Sequence, residues 1–305
     1  MKTSQQYSTL QAWMLATRPK TLFAGISPVF LGIALAYYFT QNFNLLIALL
    51  SLVCVVLMQI GTNLVNDYFD AADGIDDEAR LGPKRSIHLG LLEAKQVKRG
   101  YQICFVLAFF IGLYLIFTGG GLIIAAIGLS SLLMAYLYTG GPFPLSRYAL
   151  GEVSAAFFFG PIAVWGSAYL QAPDASEIMS LSHFLYGLGA GWVSAAIMAI
   201  NNLRDRQSDN SKNKYTLAVF LGESKARLLV ILFILLSAMW NLFYAFSWQN
   251  YGLLISLIAT ILFFKNWVFI LRAPIEHKMN MALGKTGMYL FVCALLTSAA
   301  FIAGA

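Results

Sequence analysis

Long apolar runs alternate with short polar breaks along almost the whole chain, and the runs have the length of membrane crossings. A helix that spans the hydrocarbon core needs about 20 mostly apolar residues. Nine such segments are legible, at 21–40, 45–65, 100–117, 122–138, 153–170, 184–200, 228–246, 252–271 and 281–303. The pattern predicts an all-α polytopic membrane protein with nine transmembrane helices. Two of the runs end in acid. The second passes into NLVNDYFDAADGID, where Asn66, Asp70 and Asp73 recur at i, i+4 and i+7, and Asn63, Asp67 and Asp70 repeat that spacing one position round. The sixth passes into NNLRDRQSD, with Asn201, Asp205 and Asp209 at i, i+4 and i+8 and Asn202 beside them. Residues so spaced share a helix face, so each run carries an Asn/Asp stripe at its end. Two such stripes can face each other across one cavity.

Composition removes the soluble classes. The chain is 59% hydrophobic and 11% charged over 305 residues, with a mean hydropathy of +0.70, against a charged share of about 25% in soluble domains. The 20 Lys and Arg residues cluster at 2–20, 80–99, 147, 204–227 and 265–285, while the intervening turns TQNFN, TGGG, QAPDASEIMSLSH and WQNY carry none. Cytoplasmic loops are enriched in cations, which places the N-terminus and both stripes on the cytoplasmic side and the C-terminus outside, in a bacterial inner membrane. The net charge of +6 is thus an orientation signal, and no nucleic-acid partner is expected. The first twenty residues are polar and the first run is too long for a cleaved signal, so the anchor reads as permanent. Cys54, Cys104 and Cys293 lie inside apolar runs without metal spacing and read as packing residues.

Carboxylates at membrane depth are costly and mark function by default. Proton and ion relays use isolated or paired acids near the midplane, whereas these cluster at one interfacial level on two helices. Calcium cages of the EF-hand order are absent. Mg²⁺ keeps several waters and is held by a few carboxylates together with substrate phosphates, which suits two facing Asp stripes around a diphosphate. Arg18, Lys20, Lys84 and Arg85 stand near enough in sequence to neutralise the remaining charge. A diphosphate beside apolar, aromatic helices most simply belongs to an isoprenoid diphosphate. Phe157, Phe158, Phe159 and Trp165 are candidates to line a slot for its hydrocarbon. Glu152, at the start of the fifth run, reads as a helix cap, and the last three runs read as scaffold. A single domain covers 1–305, with cap loops at about 66–99 and 201–227. The 136-residue offset between Asn66 and Asn202 suggests pseudo-symmetric halves.

Several stretches together resemble the UbiA-type intramembrane prenyltransferases: RPKTL from Arg18, NDYFDAADGID from Asn66, LGPKR from Leu81, YTGGPFPL from Tyr138, NNLRDRQSDN from Asn201 and TLAVFLG from Thr216. Within that family the chain is most similar to the branch that prenylates 1,4-dihydroxy-2-naphthoate. The ubiquinone branch carries a Tyr and Lys four residues apart after the fourth helix, and here Tyr138 is followed by Pro142 at that spacing. The resemblance implies transfer of a polyprenyl group from polyprenyl diphosphate to the naphthoate, with loss of diphosphate and carbon dioxide. It implies Mg²⁺ held by Asn66, Asp67, Asp70, Asp73, Asn202, Asp205 and Asp209, with Asp70 and Asp205 catalytic. It also implies substrate contacts from Arg18, Lys20, Asn63, Lys84, Arg85 and Lys214. Another aromatic acceptor, such as a hydroxybenzoate, a homogentisate or haem, is the alternative within the family. An ion-coupled transporter is the rival from another class, and it would work without any diphosphate.

Overall fold

The computed structural model describes residues 7–72, 74, 81–83 and 85–305. Among them every regular element is helical. In chain order these are α1 (Thr9–Thr17), α2 (Leu22–Thr40), α3 (Leu45–Ala72), α4 (Ala94–Leu115), α5 (Gly121–Leu137), α6 (Gly151–Phe157), α7 (Ala163–Gln171), α8 (Leu181–Tyr186), α9 (Leu188–Ser211), α10 (Leu217–Ser247), α11 (Ile255–Leu262), α12 (Phe264–Arg272) and α13 (Met279–Ala303). Calls on Asp73 and Lys84 lie outside the described residues.

Seven helical stretches are long and apolar enough to cross a membrane, and α11 with α12 makes an eighth, bent by 46°. The stretch Ala94–Leu137 counts double. At 44 residues it would be roughly 66 Å long as one helix, about twice the hydrocarbon thickness. It breaks at Gly119, whose φ of 133° is open to glycine and strained for other residues. Both α4 and α5 then pack on α3, so the chain reverses at TGGG and crosses twice. Seven candidate spans, or eight with the bent pair, together with this reversal come close to the nine crossings expected, and the chain is an integral membrane protein.

The helices run further into the charged stretches than the apolar segments do. Helix α3 continues to Ala72 and α9 to Ser211, and α10 begins at Leu217 with a break at Gly222, where φ is 73°. Much of what reads as cap loop at 66–99 and 201–227 is therefore helix. The reason lies in the stripes: i, i+4 positions stay on one face only while the helix continues. The third member of the second stripe, Asp209, needs the last turn of α9 to stay in line.

Packing is arranged around α9, which touches α6, α10 and α13. A Cβ added to Gly191 would sit 2.2 Å from the Ala156 carbonyl oxygen, so glycine lets α9 lie directly on α6. Without a hydrophobic driving force between helices in lipid, such close backbone contact is the main source of helix association. A second, smaller core ties the charged end together. Ala12 and Ala16 of α1, Leu64 and Val65 of α3, Leu92, and Val97 and Tyr101 of α4 pack as one cluster. Helix α1 is fixed at its start by a capping box between Ser8 and Gln11, and Ser86 donates to the Ala12 carbonyl at 2.7 Å. The cap thus rests directly on the end of α3 that bears the first stripe.

Candidate active site

One cavity of about 960 Å³ takes in both stripes, near the upper end of the roughly 300–1,000 Å³ usual for ligand sites. Its polar mouth is lined by Asn63, Asn66 and Asp70 from α3 and by Asn201, Asn202, Asp205 and Asp209 from α9. The two stripes expected from spacing therefore do share one space. From the mouth an apolar limb runs between α3, α4, α5, α6 and α7 as far as Leu170, one residue from the end of α7. Phe109 and Leu129 line that limb and are 49% and 62% exposed, so the limb reaches the lipid-facing surface. Of the aromatics expected along it, Phe158 and Phe159 line the cavity. Trp165 does not, because its indole donates to the Ile178 carbonyl at 2.6 Å and its ring stacks on Tyr169.

On α3 the carboxylates are held by cations from other parts of the chain. Arg18, at a left-handed φ of 51° between α1 and α2, pairs with Asp67. Arg85 pairs with Asp70, lies 3.7 Å from Asp67 and donates to the Asn66 carbonyl at 2.6 Å. Asp67 is fully buried and is not part of the cavity wall. Both arginine contacts fall on Oδ1, and Oδ2 is buried with no hydrogen-bond partner among the described residues, so the structure shows Asp67 as an anchor without testing the ligand role expected for it. Asn63 is likewise engaged: its amide donates to the Thr17 carbonyl and the Thr21 hydroxyl, both at 3.0 Å. The Asn66 amide oxygen accepts from Thr139, which follows α5. Lys20 lines the mouth and is exposed.

On α9 the partners are close by in the chain. Arg204 grips Asp205 with two donors, at 2.8 and 2.5 Å, and its remaining donors reach Asn201 at 2.8 Å and Asn280 at 2.7 Å. Lys214 lies 3.3 Å from Asp209 Oδ1, while Asp209 Oδ2 is buried with no hydrogen-bond partner among the described residues. Asn202 donates to Glu152 Oε1 at 3.0 Å. Two expectations change here. Glu152 is not a cap but a buried partner of the second stripe, since Leu150 holds the N-cap position of α6. The segment expected as scaffold contributes to the site: Asn280 and Gly284 of α13 line the cavity. The Asn280 amide also donates to the Leu81 carbonyl at 2.8 Å, which joins Arg204 on the second stripe to the segment carrying Arg85. Sequence reading missed Arg204 and Asn280, the first because it is one of many cations at that end, the second because a lone Asn carries no periodic signal.

The donor set tests whether a divalent cation fits. Every potential ligand is a carboxylate or amide oxygen, the hard donors that Mg²⁺ takes, and Asp209 keeps one buried oxygen unpaired. No three His, Cys, Asp or Glu side chains among the described residues converge on a closed metal cage. An open, oxygen-only arrangement shared with a substrate's phosphates is the form Mg²⁺ sites usually take, so the residues fit.

The model of the UbiA prenyltransferase family matches residues 25–291. The chain is 32% identical over 305 residues to the 1,4-dihydroxy-2-naphthoate octaprenyltransferase of Haemophilus influenzae, covering 97% of each. It is 35% identical over 288 residues to the Escherichia coli protein of the same name, covering 90% of this chain and 86% of that one. Among solved structures, a UbiA homolog from Archaeoglobus fulgidus bound to DMAPP and Mg²⁺ aligns with a TM-score of 0.65 at 13% identity, over 95% of this chain and 99% of that one. An apo UbiA homolog from Aeropyrum pernix K1 aligns at 0.67 and 15% identity, over 93% and 97%. At these identities the structural likeness speaks for the fold.

Proposed function

The chain belongs to the UbiA prenyltransferase family, and from that premise we propose that it transfers a polyprenyl group from polyprenyl diphosphate to 1,4-dihydroxy-2-naphthoate. Diphosphate and carbon dioxide are released, and the product is demethylmenaquinol. The observation that carries this reading is the joining of two Asn/Asp stripes and a membrane-deep apolar limb in one cavity. A transporter path would need acids along the crossing, whereas the charged side chains in this wall gather at one end. The names of the relatives supply the acceptor.

Asn66, Asp70, Asp73, Asn202, Asp205 and Asp209 are the residues proposed to hold Mg²⁺, which when bound polarises the diphosphate as a leaving group. Lys20 at the mouth, and Arg18, already paired with Asp67, are assigned to take phosphate charge, and Lys84 is assigned the same role from its sequence position. Arg85 and Lys214 pair with acids in the structure, so phosphate oxygens arriving there compete for donors already held in place. Preorganised donors of this kind favour the charge that builds on a departing diphosphate. The apolar limb with Phe158 and Phe159 excludes water from the allylic cation, the naphthoate ring attacks it, and loss of the ring carboxylate as carbon dioxide restores aromaticity. The site and the N-terminus are assigned to the cytoplasmic side from the cation distribution, and the bacterial sources of the two relatives support a bacterial inner membrane.

Purified protein in detergent, supplied with Mg²⁺, labelled polyprenyl diphosphate and a panel of aromatic acceptors, tests this. Dihydroxynaphthoate should be the preferred acceptor and EDTA should stop turnover. Full turnover in EDTA, or preference for a hydroxybenzoate, would overturn the reading.

A further inference from the structure

Glu152 lies in the first turn of α6, 1% exposed. Its neighbours Gly151, Ser154 and Ala155 line the cavity, but Glu152 does not. Burying a carboxylate at this depth is costly unless it is paired or hydrogen-bonded, and Glu152 is only half provided for. Oε1 accepts from Asn202 Nδ2 at 3.0 Å, and Oε2 is buried with no hydrogen-bond partner among the described residues. The cation of this corner, Lys214, is bound to Asp209 instead. The side-chain hydrogen bond that Glu152 accepts thus comes from a residue that does line the cavity.

That bond decides which end of the Asn202 amide is available. A carboxylate accepts and does not donate, so Asn202 turns its NH₂ group to Glu152 and its carbonyl oxygen away. We propose that Glu152 is a positioning residue that locks the Asn202 amide with its carbonyl toward the cavity, making Asn202 a cation ligand of fixed polarity. Without the acceptor, the amide can turn over and present two N–H donors, which repel a cation. A glutamine at 152 could still accept, but its own amide can flip, so it would hold Asn202 less firmly. This inference rests on the metal-diphosphate reading above and adds the residue that orients one of its ligands.

The test uses the purified full chain in detergent, with Mn²⁺ as a spectroscopic substitute for Mg²⁺ and inorganic diphosphate as the anion, and reads free Mn²⁺ by electron paramagnetic resonance. Losing a partner outside the ligand shell typically costs 10–100-fold in metal affinity, so Glu152→Leu should weaken Mn²⁺ binding by about that factor. Glu152→Gln should recover most of the loss. Asn202→Ala should weaken binding similarly, and adding Glu152→Leu to it should change nothing further, because groups that act through one another are not additive. Wild-type affinity in Glu152→Leu, no recovery in Glu152→Gln, or additive losses in the double variant would overturn the proposal. If Glu152→Leu does not fold, Glu152→Gln carries the same test: its smaller loss must vanish in the Asn202→Ala background. Failure of the wild type to bind Mn²⁺ would remove the metal reading and this inference with it, whereas wild-type binding undiminished in the variants removes the inference alone.

Discussion

The carboxylates of α3 and α9 end two similar sequence stripes, but they are held in different ways. Asp67 meets Arg18 from 49 residues away, and Asp70 meets Arg85, which lies outside α3. Asp205 is gripped by the adjacent Arg204, and Asp209 by Lys214 just past the helix end. The first stripe is therefore organised only when α1, the 81–93 segment and α3 have come together, while the second carries most of its own support. Asn280 connects the two by bonding both Arg204 and the Leu81 carbonyl. The contrast teaches that equal spacing of acids does not mean equal duty. On α9 the acids face the cavity, and on α3 one of them, Asp67, is used to fasten the cap.

The strongest way to break this comparison is to neutralise one acid on each side. Asp70→Asn and Asp205→Asn should each lower kcat by at least roughly 10²–10³-fold, the scale of removing one transition-state electrostatic contact, with melting in detergent little changed. Wild-type rates in either variant would reduce that stripe to a structural role. Next comes Asp67→Ala, which leaves Arg18 and Arg85 short of a buried partner and should cost about 3–5 kcal/mol of stability. Its signature is a lower melting temperature with an unaltered Mg²⁺ requirement, and Asp209→Ala should show the reverse. If both variants raise the Mg²⁺ requirement alike, the division of duty between the stripes is wrong.

A smaller effect is expected at Arg85. Its guanidinium touches Asp70 and the Asn66 backbone, and Arg85→Ala should weaken use of the diphosphate by about 10–100-fold, the equivalent of one to two charge-assisted hydrogen bonds. Varying each substrate separately checks this, since a rise in KM for the naphthoate alone would assign Arg85 to the acceptor. The mildest change is Asn280→Ala. It removes the hydrogen bonds to Arg204 and to the Leu81 carbonyl, each worth on the order of 1 kcal/mol, and should lower kcat/KM by only several-fold, with Arg204 still bonded to Asp205 and Asn201.

How much of this was legible in the sequence follows from the range over which each signal acts. The apolar crossings and both stripes are features of contiguous residues, so apolar length and i, i+4 spacing are enough to find them. Which acids face the cavity is not. Asp67 and Asp70 lie only three residues apart on a broad stripe, and their different duties come from Arg18 and Arg85, whose pairing is a tertiary event. Glu152 reads as a cap because an acid near a helix start is common, and only the packing of α6 on α9 turns it toward Asn202. Asn280 sits in a segment without acids, where nothing local marks it. The helical continuation of α9 to Ser211 was hidden by its charge, although the stripe itself required it.

The central claim is that this cavity joins a polyprenyl group to dihydroxynaphthoate with loss of the ring carboxylate, and labelled carbon dioxide measures it directly. With the acceptor labelled in its carboxyl group and the polyprenyl diphosphate labelled in the chain, the account expects one carbon dioxide released for each prenyl group transferred. A prenylated product that keeps the carboxyl label would contradict it.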